Sequence, residues 1–225
     1  MKIKTFLTSV GYDDYLHYTL PWNKGKCGDM TVISSASDRA TQDVCARHGV
    51  RCFLAPRMPD GWKGWSIAYN DCLRAEEDLE WVLIMDADIL LPADFASMVE
   101  QATLDPAALH YTSRVYLPMD YPRIDEHIAA ACDGKPFLGR GWTHLPAQTW
   151  GYFMLFNWQK ANLADKFFGE NLNGQGHDIE YAGRFTRTLP LPMDFAVAHI
   201  PHGTWDDWSK NWSGRKTDRL IIRPA

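Results

Sequence analysis

Two acidic residues stand one position apart directly after the most apolar run in the middle of the sequence. Asp86 and Asp88 follow Trp81–Met85, five consecutive apolar residues of the kind that forms a strand buried on both faces. If the chain bends where this strand ends, both carboxylates point into one crevice and repel each other unless a cation lies between them. Because Mg²⁺ and Mn²⁺ prefer carboxylate oxygens, the pattern predicts a divalent-metal site. The spacing alone also occurs in ordinary loops.

Two histidines near the end of the chain are candidates for the same metal. His199 and His202 are three positions apart, and Pro201 between them favours a turn that would let both imidazoles reach one ion. The alternative is that either histidine has only a structural role.

A third carboxylate, Asp178, lies in the sequence GQGHDIE (residues 174–180), where a predicted helix begins. The helix dipole favours an ionised carboxylate at that end, and such a carboxylate can accept the proton of an attacking hydroxyl. Aspartate is also a favoured helix cap, so a purely structural role stays open.

Aromatic residues form another candidate set, because a ring face offers a flat apolar surface to the C–H side of a sugar. Trp150 precedes Gly151, which permits close approach of a ligand. The segment 203–215 repeats Trp at helical spacing and also carries Lys210 and Arg215. Packing in the core explains these tryptophans equally well. Five of the 10 Trp lie near the candidate pocket in sequence, namely Trp62, Trp65, Trp150, Trp205 and Trp208.

Charge and composition exclude several classes of protein. The 225 residues carry a formal net charge of −5 and are 46% hydrophobic. These values exclude disordered and collagen-like chains and argue against a nucleic-acid-binding protein with a broad basic face. No Lys or Arg lies between Arg74 and Arg114, whereas basic residues outnumber acidic ones in the last 25 positions. The acidic block suits a metal and the basic tail suits an anionic ligand, although both patterns also occur on ordinary solvated surfaces.

The cysteines and the hydropathy pattern bear on the compartment. The five cysteines show no CxxC spacing, and no segment approaches the length of a membrane span. We therefore expect a soluble cytoplasmic protein with reduced thiols.

The elements that must position these residues alternate between strand and helix in the first half of the chain. The pattern predicts an α/β sheet that is mostly parallel, whose ligands bind at the carboxyl ends of the strands. Ser37 or Asp38 would cap the second helix and Gly49 would end it. The predicted strands are 3–10, 30–35, 51–55 and 81–85, and the predicted helices are 13–22, 38–48 and 66–77.

The second half of the chain is less regular. Residues 104–141 are rich in Pro, Tyr, Arg and Asp and predict irregular or antiparallel structure. No linker or repeat divides the chain, so we expect a single domain. The remaining predicted elements are a strand at 151–157, a helix at 159–168, a loop at 170–176, a helix at 178–186 and a strand at 195–200.

These residues resemble the GT-A glycosyltransferases, especially the large family-2-like group. The stretch 64–92 is similar to the donor-binding part of these enzymes, with Ala68-Tyr69-Asn70 on a helix and Asp86-Ala87-Asp88 as the DXD motif. Residues 5–12 and 32–38 resemble their first two strands, so the resemblance covers residues 3–95. It implies a GT-A fold, which is a Rossmann-like, mostly parallel sheet flanked by helices, here with a small irregular or antiparallel second half.

The same resemblance implies a donor and its ligands. In these enzymes the DXD motif holds Mn²⁺ or Mg²⁺ on the diphosphate of a nucleotide sugar, here expected to be a UDP-sugar. The segment 174–180 resembles the loop that supplies the general base of inverting members, with Asp178 as the base and His177 where a Glu is usual. The resemblance also implies Thr8 and Asp38 as ligands of the base and ribose, and Asn70 as a support of the donor pocket. It further implies His202 and second to it His199 for the metal, and Lys210 and Arg215 for the diphosphate, in a tail that closes over the donor.

The prediction is therefore a metal-dependent, inverting, hexosyltransferase-like glycosyltransferase that moves a sugar to an acceptor hydroxyl. Residues 1–95 would bind the donor and residues 96–225 the acceptor, which could be a saccharide, a lipid-linked glycan, a protein or a modified nucleic-acid base. One alternative is a nucleotidyltransferase of related fold, which would want a basic Gly-rich loop where this chain has the acidic VGYDDYL (residues 10–16). The other is a non-catalytic module that binds nucleotide sugars.

Overall fold

The structure, a computed structural model, describes most of the chain. The described residues are 1–57, 64–118, 123–149, 151–161, 163, 166–170, 177–192 and 194–201. Within these ranges we find no helix that is both long enough and apolar enough to cross a membrane.

The first half of the chain has the predicted alternation of strands and helices. Asp38 is the N-cap of the second helix and Gly49, at φ 58°, ends it in the left-handed conformation, as the sequence predicted. The elements are β1 (Ile3–Thr8), α1 (Asp13–Asn23), β2 (Asp29–Ser34), α2 (Arg39–His48), β3 (Arg51–Leu54), α3 (Trp65–Arg74) and β4 (Trp81–Met85).

The second half is more regular than its composition indicates. The described residues of 104–141 include two strands and a helix. The apolar Ile124, Ile128 and Ala131 of this helix form a buried stripe at helical spacing. The elements are β5 (Ile89–Leu90), α4 (Phe95–Gln101), β6 (Leu109–Tyr111), β7 (Ser113–Tyr116), α5 (Ile124–Ala131), β8 (Thr143–Leu145), β9 (Phe153–Asn157), α6 (His177–Gly183), β10 (Thr188–Pro190) and β11 (Ala196–His199).

The predicted helix at 159–168 is wrong, since none of its described residues is helical. The side chain of Asn157 accepts hydrogen bonds from Gln159 N at 3.1 Å and Lys160 N at 2.9 Å, which closes a turn in place of a helix. Further along, Phe168 N donates to the side chain of Asn70 at 2.9 Å. The segment is therefore held by partners outside itself.

Two sheets organise the described part of the chain. The larger sheet has seven strands in the order β10-β6-β9-β4-β1-β2-β3, in which β3, β2, β1 and β4 are parallel neighbours and β9 runs antiparallel to β4 and β6. The smaller sheet has the order β5-β11-β7-β8. The strand order reverses between β1 and β4, because the chain adds β2 and β3 on one side of β1 and β4 on the other. Such a switch point leaves a crevice at the carboxyl ends of the two strands, where ligands of α/β proteins bind.

Both faces of the larger sheet are buried, which explains the apolar run of β4. Leu83 and Met85 pack in one hydrophobic cluster with residues of α1, α2 and α4, and Val82 and Ile84 pack in a second with residues of α3 and α6. Successive side chains of a strand point to opposite faces, so a strand between two helix layers must be apolar throughout.

Trp65 belongs to the second of these clusters. Its ring lies edge-on to Tyr69 and Phe168, with centroids 5.5 Å and 5.2 Å away. This tryptophan is half-buried and packs against the core, and a contact with a ligand stays a prediction.

Candidate active site

The Asp86–Asp88 turn lies at the carboxyl end of β4, at the switch point of the large sheet. Ile89 N donates to Asp86 O at 3.4 Å, which bends the chain out of β4 and into β5. Asp86 is exposed and Asp88 is only 5% exposed. One carboxylate therefore faces solvent and the other faces the protein interior.

His199 is the residue that the fold brings to Asp88. β11 pairs with β5 so that His199 lies opposite Ile89, and the Nε2 atom of His199 is 3.6 Å from Oδ2 of Asp88. The imidazole also packs against the ring of Tyr116, with centroids 4.8 Å apart. Among the described residues no three His, Cys, Asp or Glu side chains converge as metal ligands. His202, the other predicted ligand, lies outside the described residues.

Three tyrosines surround the acidic pair and stay protonated there. Burial raises the pKa of Tyr69, and the nearby Asp86 raises it further. Burial also raises the pKa of Tyr152 to about 12 and raises the pKa of Tyr116, with a smaller contribution from Asp86 in both cases. A neutral phenol has one O–H to donate, and Tyr152 donates it to Thr112 O.

Arg114 is a residue of this site that the sequence reasoning missed. It lies on β7, is 3% exposed, and places its guanidinium carbon 4.5 Å from the ring centroid of Tyr152 and 4.8 Å from that of Tyr116. Its charge lowers the pKa of both phenols, against the larger effect of burial. The available signal was a single cation inside the strand-like sequence TSRVY, at the end of a long stretch without Lys or Arg.

Asp178 lies near the same edge of the sheet because Gly151 holds it there. Gly151 N donates to Oδ2 of Asp178 at 2.8 Å, and the carbonyl of the next residue, Tyr152, accepts from Asp86 N at 3.4 Å. A Cβ on Gly151 would lie 3.0 Å from the Cβ of Asp178. The glycine thus permits close approach, but the group that approaches is the carboxylate of Asp178.

Thr8 and Asp38 lie where β1 and β2 end. Thr8 is the last residue of β1 and is in hydrogen-bonding contact with the hydroxyl of Tyr69. Oδ1 of Asp38 accepts from Thr41 N at 3.1 Å, and Oδ2 accepts from Gly11 N at 2.8 Å. Asp38 therefore ties the loop after β1 to the start of α2, and a contact of either residue with a nucleotide stays a prediction.

Asn70 is fully buried and is hydrogen-bonded to the backbone of Phe168. Its Nδ2 donates to Phe168 O at 2.9 Å and its Oδ1 accepts from Phe168 N at 2.9 Å. The ring of Phe168 in turn stacks on Tyr181 of α6, with centroids 4.0 Å apart. Asn70 thus supports the helix that carries Asp178, while its predicted part in the donor pocket stays a prediction.

Glu170, two residues after Phe168, is exposed and forms salt bridges with Arg57 and Arg74. Hydrogen bonds from Arg57, and to a smaller extent from Arg74 and Asn70, together lower the pKa of the Glu170 carboxyl to about 2. Glu170 is therefore ionised wherever the protein is folded near neutral pH.

The predicted ligands Trp150, Lys210 and Arg215 lie outside the described residues, as do Trp62, Trp205 and Trp208.

Comparison with known proteins identifies the fold. No protein-family model matches the chain, and no curated protein matches its sequence. Two crystal structures of glucosyl-3-phosphoglycerate synthase from Mycobacterium tuberculosis are each 17% identical to it at a TM-score of 0.50. Each aligns with 92% of this chain, which covers 74% of one and 75% of the other. The crystal structure of S. aureus TarS 1-349 is 11% identical at a TM-score of 0.54, over 89% of this chain and 60% of that one.

These similarities agree with the strand order and the helix layers, and they concern the fold alone. The seven-stranded, mostly parallel sheet with helices on both faces is the architecture that the resemblance in sequence implied. The chain therefore has the GT-A fold.

Proposed function

We propose that this chain is a metal-dependent glycosyltransferase that moves a sugar from a nucleotide-diphosphate sugar, preferentially a UDP-sugar, to an acceptor hydroxyl. The observation that carries the proposal is the position of the acidic pair. Asp86 and Asp88 follow the central strand β4 at the switch point of the sheet, and Gly151 and Tyr152 connect them to Asp178. Three carboxylates at one edge of a sheet suit a metal and a base.

The donor atoms at this edge suit a divalent metal. Asp86 and Asp88 offer carboxylate oxygens and His199 offers an imidazole nitrogen, ligands that Mn²⁺ accepts. The described residues supply no complete protein shell. Phosphate oxygens and water would supply the rest, as is usual for cations that act on phosphates. The two M. tuberculosis structures hold Mn²⁺ and UDP-glucose, which supports these two as the first ligands to test.

Each residue has a distinct part in the proposed reaction. Asp86 and Asp88 would hold the cation, which when bound neutralises the charge of the leaving diphosphate. Asp178 would accept the proton of the acceptor hydroxyl as that oxygen attacks the anomeric carbon, which gives inversion. Gly151 N fixes Oδ2 of Asp178, so Oδ1 is the oxygen that would take the proton.

The remaining predicted parts belong to the same proposal. Residues 1–95 would bind the donor and residues 96–225 the acceptor within one domain, with His202 as a further metal ligand and Lys210 and Arg215 on the diphosphate. The M. tuberculosis structures hold phosphoglyceric acid in one case and glycerol 3-phosphate in the other. Small hydroxylated phosphates are therefore the first acceptors to test.

The test measures UDP binding by calorimetry with and without Mn²⁺, and UDP release from UDP-glucose. We expect Mn²⁺ to strengthen UDP binding by the wild type and not by Asp88→Asn. The matched control is Asp94→Asn, because Asp94 is exposed at the start of α4 and its side chain makes no cap hydrogen bond. If Asp88→Asn and Asp94→Asn respond to Mn²⁺ alike, the metal site is not at the acidic pair.

The same assays separate the two alternatives. A nucleotidyltransferase would release pyrophosphate from UTP and a sugar 1-phosphate, and a pure binding module would bind UDP-glucose without releasing UDP. The loop after β1 leads into buried Asp13 and Asp14 in the first turn of α1, which disfavours a triphosphate at this place.

A further inference from the structure

One face of α1 holds the turn that carries Asp86 and Asp88. Thr19, Trp22 and Asn23 are at positions i, i+3 and i+4 of the helix and so project from the same side. The Oγ1 atom of Thr19 donates to Ala87 O at 2.8 Å, and Ala87 is the residue between the two aspartates. Nε1 of Trp22 donates to Leu91 O at 2.7 Å.

Asn23 is hydrogen-bonded to residues 89 and 91 through both polar atoms of its side-chain amide. Its Nδ2 donates to Ile89 O at 2.7 Å, and its Oδ1 accepts from Leu91 N at 2.9 Å. A side chain that is bonded as donor and as acceptor to residues two apart fixes the register of the segment against the helix. Asn23 is 1% exposed and Thr19 is 2% exposed, so water does not compete for these bonds.

The rest of the turn is bonded to the two sheets. Asp86 N donates to Tyr152 O on one side, and Asp88 O accepts from Ile200 N at 3.0 Å on the other. The carbonyl of Ala87 lies between these two ties, and its partner in the structure is Thr19. A buried carbonyl must be bonded. The hydroxyl of Thr19 therefore determines how the peptide between the aspartates is oriented.

We propose that Thr19 and Asn23 are positioning residues, which act through the backbone of the turn to set the separation and direction of the Asp86 and Asp88 carboxylates. The inference deepens the proposed function and rests on it, because it concerns the metal that these carboxylates would hold. Partners that orient metal ligands commonly change metal affinity by 10–100-fold when they are removed. The alternative is that the bonds only stabilise the packing of α1.

Thr19→Val tests the proposal, because valine keeps the shape of threonine and removes the hydroxyl. The matched control is Thr5→Val, since Thr5 is also fully buried and its Oγ1 donates to a backbone carbonyl, Cys27 O, at 2.7 Å. Thr19→Ser keeps the hydroxyl and should restore the wild-type behaviour. The measurements are the Mn²⁺ dissociation constant in the presence of UDP, from the paramagnetic resonance signal of free Mn²⁺, and hydrogen exchange of the amides in residues 86–91.

We expect Thr19→Val to raise the Mn²⁺ dissociation constant about tenfold, at the lower end of the usual range, and to speed exchange in residues 86–91. Thr5→Val should do neither, although both variants lose one buried hydrogen bond. Equal Mn²⁺ affinity and equal exchange in the two valine variants would overturn the proposal. If the wild type itself fails to bind Mn²⁺ with UDP, the proposed function is wrong, and the exchange of residues 86–91 then decides alone whether Thr19 orders the turn.

Discussion

Gly151→Ala is the most direct test of the position of Asp178. An alanine Cβ at this position would lie 3.0 Å from Cβ, 3.5 Å from Cγ and 3.4 Å from Oδ2 of Asp178. The Cβ–Cβ distance is shorter than an ordinary van der Waals contact, so Asp178 must move by a few tenths of an ångström. The hydrogen bond from Gly151 N to Oδ2, now 2.8 Å, would weaken in the same movement.

The expected loss of kcat follows from how steeply the rate depends on the position of the catalytic group. A misplacement of 1 Å can lower a rate by about 100-fold, so a few tenths of an ångström should lower kcat roughly three- to tenfold. The KM for UDP-glucose should change little, because the contacts with the donor that we propose for Asp86 and Asp88 are not moved. The assay is steady-state release of UDP from UDP-glucose with Mn²⁺ and an acceptor.

The control is Gly183→Ala at the other end of α6, where a Cβ meets nothing within 4 Å. It should keep the wild-type kcat and match or exceed the wild-type thermal stability, since alanine favours helix more than glycine. Full activity of Gly151→Ala with an unchanged melting temperature would refute the assignment of Asp178 as the base. Asp178→Asn, which keeps an oxygen for Gly151 N, should lose at least about 100-fold in kcat.

Two further predictions concern stability. Asn70→Ala would leave the buried N–H and C=O groups of Phe168 without their present partner. It should lower the free energy of unfolding by about 2–4 kcal/mol in urea titrations. A loss below about 0.5 kcal/mol, the size of a neutral surface change, would contradict this role of Asn70. Burial lowers the pKa of His110 from 6.5, so the unfolded chain binds more protons and stability should fall as the pH drops through and below 6.5. The variant His110→Gln can still donate a hydrogen bond to Asp105 O, as the Nε2 group of His110 does now. It should flatten the pH dependence of stability in urea titrations between pH 7 and pH 5. An unchanged slope would rule out His110 as the source of this dependence.

Much of the fold could be predicted because its signals are local. The apolar run of β4 identifies a strand with two buried faces. Asp38 caps the start of α2 with its side chain, and Gly49 ends the helix in the left-handed conformation. The missed helix α5 also had a local signal in the spacing of its apolar residues, which the surrounding Pro, Tyr and Arg obscured.

The predicted helix at 159–168 failed partly because one of its competitors lies far away in the sequence. Asn157 closes a turn at one end of the segment, and Asn70, 98 residues away, bonds the backbone of Phe168 at the other. Helical propensity is weak compared with such tertiary contacts.

The sequence by itself determined that the chain has an acidic pair after a central strand. It also determined which residue types are available to bind a nucleotide sugar. Only the tertiary structure decided which residues meet there. His199 reaches Asp88 through strand pairing across more than 100 residues, Gly151 reaches Asp178 across 27, and Thr19 reaches Ala87 across 68. A local pattern depends on bonds within a few positions of the chain. Pairings at such distances depend on how the strands and helices pack, which no short stretch of sequence specifies.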